Sequence, residues 1–259
     1  MYEGLRIERR GRVLVVTIDR EERMNAFSQE VYDGLLETWT SLAGDRSVRA
    51  ILVTGAGDRA FCTGMDLKAF AERGGPNPVK ADVHEQLRVT PLNCDVWLPT
   101  VVAVNGVCTG AGLHFVADAD VVVASSTATF LDTHVSVGQV AAIEPITLLA
   151  RIGLGSALRL TVLGRHGRIG ADEALRIGLV DEVVEPARLR ARAAELAEQA
   201  ASGSPAAIEA SKRAIRGALE LPMRDAMQAG WELLLSHRDH PDSGEGPRAF
   251  AEKREAKWQ

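Results

Sequence analysis

The chain has 259 residues, 46% of them apolar and 25% charged, with 30 Lys and Arg against 35 Asp and Glu. Such a composition excludes a disordered or collagen-like chain, and a net charge of −5 argues against the basic face that a nucleic-acid partner requires. No run approaches 18 consecutive apolar residues, so neither a transmembrane helix nor a membrane partner is expected.

At about 150 residues per domain, the length suits one large domain, or one domain with an appendage. Four short β-branched runs come first: 13–18 (VLVVTI), 50–54 (AILVT), 101–104 (VVAV) and 121–124 (VVVA). Almost continuously apolar and bounded by turn formers, they read as strands covered on both faces. Between the first two, Val31, Leu35, Trp39 and Leu42 recur at helical spacing behind Ser28 as N-cap, which gives strand, helix, strand and an α/β body. The glycine-containing stretch 69–82 reads as a mobile loop. Beyond about residue 185 the pattern turns helical, with stripes Leu189, Ala193, Leu196, Ala200 and Met227, Trp231, Leu234, Leu235, and with Ser204-Pro205 as a helix start. The opening MYEGLRIERRGR has no apolar signal core, and Cys62, Cys94 and Cys108 are not a disulfide framework; a reducing cytoplasm is the expected location.

Gly55-Ala-Gly57-Asp-Arg-Ala60 formally matches a dinucleotide fingerprint, but Phe61-Cys-Thr-Gly64 follows where a helix should open, so it reads as a strand-exit turn. No Gly-Lys-Ser/Thr is present for a phosphate loop. Two other segments, Ala60–Leu67 and Asn105–His114, place small residues at strand exits. Such bends can aim unpaired amides at one oxygen, or they can be tight packing turns.

These two segments, together with Asp19–Ala26, Gly178–Val184 and Glu245–Arg254, resemble the crotonase superfamily, the enoyl-CoA hydratase/isomerase family, over essentially the whole chain. The resemblance implies an α/β fold, a spiral of ββα units over 1–195 holding an acyl-CoA pocket, and an all-helical trimerisation region over 196–259. It implies an acyl-CoA thioester as substrate, with coenzyme A as part of that substrate, no separate cofactor, no metal, and a homotrimer or dimer of trimers. By the same likeness Met65 and Ala111 donate the two oxyanion N–H groups. Arg23, Ala26, Asp66, Leu67, Lys68 and Gly110 fall at positions that bind the CoA ester, and Phe250 with Lys253 at the C-terminal pair that reaches a neighbouring subunit's ligand.

The hydratases of this family carry a glutamate just after the second oxyanion segment and another about twenty residues on. In this chain those positions are His114 and His134. Imidazole titrates near neutrality and can serve as base or acid, so both are expected to transfer protons. Glu144 is a candidate partner for His134, or alternatively a helix-N-terminal charge ahead of Pro145. Asp132 is a second candidate, sharing a face with His134 if the segment is extended. Hydration or isomerisation of an enoyl-CoA is the leading expectation. A C–C hydrolase for β-diketones, with His134 and Glu144 activating water, and an inactive acyl-CoA-binding member are the alternatives. Two histidines and a carboxylate also evoke an iron triad, but without a recognised ligand spacing. Cys62 and Cys108 read as packing residues.

Overall fold

The computed structural model describes residues 2–66, 68, 80 and 82–259. Of the expected mobile loop 69–82, only Lys80 and Asp82 fall within them, and Leu67 lies outside. Strands β1 (Leu5–Arg10) and β2 (Val13–Ile18) form a hairpin, followed by α1 (Gln29–Ser41), β3 (Ala50–Gly55), β4 (Ala60–Cys62) and the short α2 (Val83–Gln86). Next come β5 (Thr100–Val104), β6 (Val107–Cys108), α3 (Ala111–Asp118), β7 (Val121–Ser125), β8 (Thr129–Phe130), α4 (Ile143–Leu163), β9 (Ile169–Gly170), α5 (Ala171–Arg176) and β10 (Glu182–Val184). Helices α6 (Leu189–Ala201), α7 (Pro205–Gly217), α8 (Met223–His237) and α9 (Pro241–Ala251) complete the chain.

One sheet has the order β1-β2-β3-β5-β7-β10 and a second, smaller sheet the order β4-β6-β8-β9. In the large sheet β1 runs antiparallel to β2, and all other pairs are parallel. The four apolar runs are its centre, and their alternation divides the core. Val16, Ile18, Ile51, Val53, Val102, Val104 and Val122 face a cluster with Phe27, Leu35, Trp39, Phe61 and Phe115. Val13, Val15, Leu52, Val101 and Val123 face Leu189, Ala193, Ala197 and Ala201 of α6. Small residues every fourth position let α6 lie close on the sheet. The expected domain boundary at 195/196 therefore falls inside a helix packed on the core, and the buried stripe continues through Ala197 and Ala201 rather than Leu196 and Ala200.

Helix α1 begins as expected, with Ser28 Oγ accepting from Val31 N–H at 3.3 Å. Trp39 is fully buried, and its Nε1 donates to the Val89 carbonyl at 2.9 Å. The segment 143–166 is long and apolar enough, by length and composition alone, to cross a membrane, although polar residues interrupt its apolar runs; it packs on α3 and breaks at Gly153 (φ 67°, ψ 170°). The α8 stripe faces outward: Met227, Trp231, Leu234 and Leu235 are exposed in the single chain.

Candidate active site

The bends that follow β2, β3 and β5 are tied together by two buried carboxamides. Asn105 Oδ1 accepts from Gly55 N–H (3.1 Å) while its Nδ2 donates to the carbonyls of Gly57 (3.0 Å) and Ala60 (2.9 Å). Asn25 Nδ2 donates to Ala56 O (3.0 Å) and Ala60 O (2.7 Å). Each satisfies carbonyls that the irregular bends leave without ladder partners. Neither asparagine has a role assigned from sequence, although both sit inside the motifs; for Asn105 the available signal was a polar residue of fixed shape between an apolar strand and a glycine.

Those anchors set the two amides. Met65 forms an isolated parallel bridge with Phe27, in which Phe27 N–H donates to Gly64 O (2.7 Å) and Phe27 O accepts from Asp66 N–H (2.9 Å). The ladder thus uses the groups on either side of Met65 and turns its own N–H away from Phe27. Ala111 opens α3, so its N–H has no partner within the helix. Among the described residues, neither amide donates to a main-chain carbonyl.

Gly64 (φ 84°) and Gly110 (φ 54°, ψ −126°) carry the backbone through regions that favour glycine. A Cβ on Gly110 would stand 3.1 Å from Gly64 Cα, and one on Gly64 would stand 3.5 Å from Ala111 N. The two bends are in van der Waals contact, and glycine is what permits it.

Beside these amides lies a cavity of about 610 Å³ whose lining includes Met65, Gly110, Ala111, His114, His134 and Glu144. His114, on α3, is buried, with Nε2 3.4 Å from Glu144 Oε1. His134 Nε2 approaches the same oxygen at 3.6 Å. Residues 30 and 10 positions from Glu144 thus converge on one carboxylate oxygen. Glu144 also occupies the first turn of α4, so the pairing and the helix-terminus reading hold at once.

Asp132 is 1% exposed, and its Oδ1 accepts both the main-chain N–H and Nδ1 of His134, each at 2.9 Å. The contact arises because the chain turns at Thr133 (φ −109°, ψ −4°) into a 3-10 turn at His134–Val137, not because the segment is extended.

The charges follow from these contacts. The hydrogen bond to Asp132 raises the His134 pKa, burial opposes it, and Glu144 adds to the rise. Burial alone would raise the Glu144 pKa; the two imidazoles outweigh it and lower the value. Burial pushes the Cys62 thiol up to about 12 and that of Cys108 well above the ordinary value, as packing residues should behave. Among the described residues no group of three His, Cys, Asp or Glu side chains is arranged to hold a metal; both Nε2 atoms lie within 3.6 Å of one oxygen instead.

The residues expected at the CoA ester are placed differently. Gly110 lines the cavity, whereas the Asp66 carboxylate pairs with Arg20 Nη2 at 3.2 Å and Ala26 O accepts from Arg20 Nη1 at 2.5 Å. Arg20, unassigned from sequence, pins the 20–27 turn to the bend at Gly64–Asp66. Arg23 and Lys68 are exposed and lie outside the cavity lining. Phe250 and Lys253 are exposed at the C-terminus, and neither lines the cavity of its own chain.

Residues 8–259 match the enoyl-CoA hydratase/isomerase family. The chain is 34% identical over 246 residues to (E)-benzylidenesuccinyl-CoA hydratase of Thauera aromatica, covering 93% of each chain. It is 34% identical over 262 residues to carnitinyl-CoA dehydratase of Escherichia coli K12, covering 100% of this chain and 99% of the relative. Among solved structures, an enoyl-CoA hydratase/isomerase from Mycobacterium paratuberculosis superposes with TM-score 0.91 at 34% identity, covering 100% of this chain and 99% of that one. Enoyl-CoA hydratase from Bacillus anthracis gives 0.86 at 29% identity, covering 99% of each. With its paired sheets, its two glycine-hinged bends and a match that runs nearly end to end, the chain belongs to the enoyl-CoA hydratase/isomerase family of the crotonase superfamily.

Proposed function

We propose that this protein adds water to the double bond of an enoyl-CoA thioester, or removes it in reverse, through an enolate whose oxygen is held by Met65 N–H and Ala111 N–H. One observation carries the reading: two main-chain amides without main-chain partners border the same cavity as a carboxylate flanked by two imidazoles. Preorganised amides stabilise charge that develops only during reaction, and losing one such donor costs on the order of 10²–10³ in rate.

The acid–base work divides as follows. Glu144, held anionic, takes a proton from water as its oxygen bonds to the β-carbon. His134, held protonated by Asp132, gives its Nε2 proton to the α-carbon as the enolate collapses. The proton on Glu144 then returns to His134 Nε2 across the 3.6 Å between them, and the 3-hydroxyacyl thioester leaves with no net proton change. His114 supports the base by binding the Glu144 oxygen at 3.4 Å. An imidazole and a carboxylate thereby stand in for the usual pair of glutamates.

The CoA handle is assigned to Arg23 and Lys68, whose cationic side chains suit phosphate. The outward α7–α8 face, with Ile215, Leu219, Met223, Met227 and Trp231 exposed, is larger than scattered surface apolars require. We read it as the face joined in a homotrimer, which would carry Phe250 and Lys253 toward a neighbouring subunit; light scattering of the purified protein tests the stoichiometry. Incubation with crotonyl-CoA, a β,γ-enoyl-CoA and a cyclic β-diketone, with product masses recorded, tests the reaction. Hydration of crotonyl-CoA that is lost in both His134→Ala and Glu144→Gln is expected. Turnover of the diketone alone would replace this reading with C–C hydrolysis, and binding without turnover would replace it with a ligand-binding role.

A further inference from the structure

The cavity carries one side chain of fixed positive charge among its described lining residues: Lys80. It contacts two other lining residues, Tyr32 of α1 and Gln86 of α2. Its ammonium donates to Tyr32 Oη at 3.2 Å and sits 5.0 Å from the centre of that ring. The tyrosine hydroxyl spends its own proton on the Glu85 carbonyl at 2.8 Å, and Lys80 N–H donates to Gln86 Oε1 at 3.0 Å. The lysine is therefore located by neutral partners at both ends. Among the described residues no carboxylate lies within ion-pair distance of it, which leaves two ammonium protons and a whole charge at the cavity wall.

Lys212, by contrast, is largely buried and paired with Asp120 at 2.6 Å. A cation in a lining that also includes Phe27, Leu87 and Val89 disfavours a purely hydrocarbon tail at that point and repels a cationic one. Although Lys80 is exposed in the single chain, it favours an anion, because a charge-assisted hydrogen bond is about twice as strong as a neutral one. Arg23 and Lys68 lie outside this lining, so Lys80 is separate from the residues assigned to the nucleotide phosphates.

We propose that Lys80, positioned by Tyr32 and Gln86, binds a second carboxylate on the acyl group, so that the substrate is the CoA half-thioester of an unsaturated dicarboxylic acid. The inference rests on the acyl-CoA reading above and narrows it to a substrate class.

The test compares two substrates of equal carbon count, hex-2-enoyl-CoA and its ω-carboxyl counterpart, 2,3-dehydroadipoyl-CoA, in the full-length protein. Wild type should favour the carboxylated ester in kcat/KM by roughly ten- to a hundred-fold, mostly through KM, and the preference should shrink as ionic strength rises. In Lys80→Met the ratio should collapse toward one, and Lys80→Arg should recover much of it. A wild-type ratio of one or less, or a ratio unchanged in Lys80→Met, overturns the assignment. If hex-2-enoyl-CoA is hydrated without preference, only this inference falls. If neither ester is bound or turned over, the acyl-CoA reading falls with it.

Discussion

Replacing Ala111 with proline tests the second proposed oxyanion donor. Ala111 is the first residue of α3, the helical position where proline is best accepted, since the N–H it lacks has no intrahelical partner. Proline also restricts the residue before it to extended conformations. Gly110 at φ 54°, ψ −126° is the mirror image of that extended region, which glycine enters freely. The backbone therefore accommodates the ring, and what disappears is the single amide proton proposed to hold the substrate oxygen. The loss should be about 2.7–4 kcal/mol of transition-state stabilisation, or 10²–10³ in kcat on crotonyl-CoA. Because the ring also fills part of the oxygen's place, KM should rise as well. Ala111→Gly, which keeps the N–H, serves as the control and should stay within a few-fold. A circular dichroism melt close to wild type establishes that α3 is intact. If the proline variant melts normally and keeps kcat within about threefold, the amide is not a donor, and the proposed chemistry is wrong.

Glu144→Gln should lower kcat by about 10²–10⁴, the range for losing a positioned general base, with steady-state rates as the readout. Its pKa is depressed in the folded protein, so its ionised form adds stability above the unfolded value. That advantage over the glutamine variant should vanish as pH falls through the folded value, which denaturant titrations across acidic pH would register. Asp132→Asn removes the charge that raises the His134 pKa; if His134 is the proposed acid, the high-pH limb of the rate profile should move to lower pH. The stability owed to the raised His134 pKa is fully present below the unfolded value of 6.5 and is lost as pH rises through the folded one. An unmoved limb would remove Asp132 from the positioning role. Trp39→Ala should cost about 3–5 kcal/mol, since it opens a cavity and strands the Val89 carbonyl; the corresponding fall in Tm is about 6–20 °C by calorimetry.

What the linear chain determined is what depends on neighbours a few positions apart. The β-branched runs at 13–18, 50–54, 101–104 and 121–124 specify strands, because such residues fit a surface buried on both faces. Ser28 specifies a helix start because its hydroxyl meets an amide three residues on. Gly64 and Gly110 mark the two bends because few other residues tolerate their dihedral angles. Only the folded chain decided the rest. His114, His134 and Glu144 are scattered over 30 positions and on three elements, and no periodicity links them until α3 packs on α4. Asp132 reaches His134 through a turn that extended-chain spacing misplaces. Whether α8's apolar stripe faces the core or the outside was undecidable locally, since a helix buries whichever face its surroundings cover, and in this chain α6 had already taken the sheet. Charge behaves the same way: an imidazole's proton and a lysine's role are fixed by what stands within a few ångströms, a distance that sequence separation does not measure.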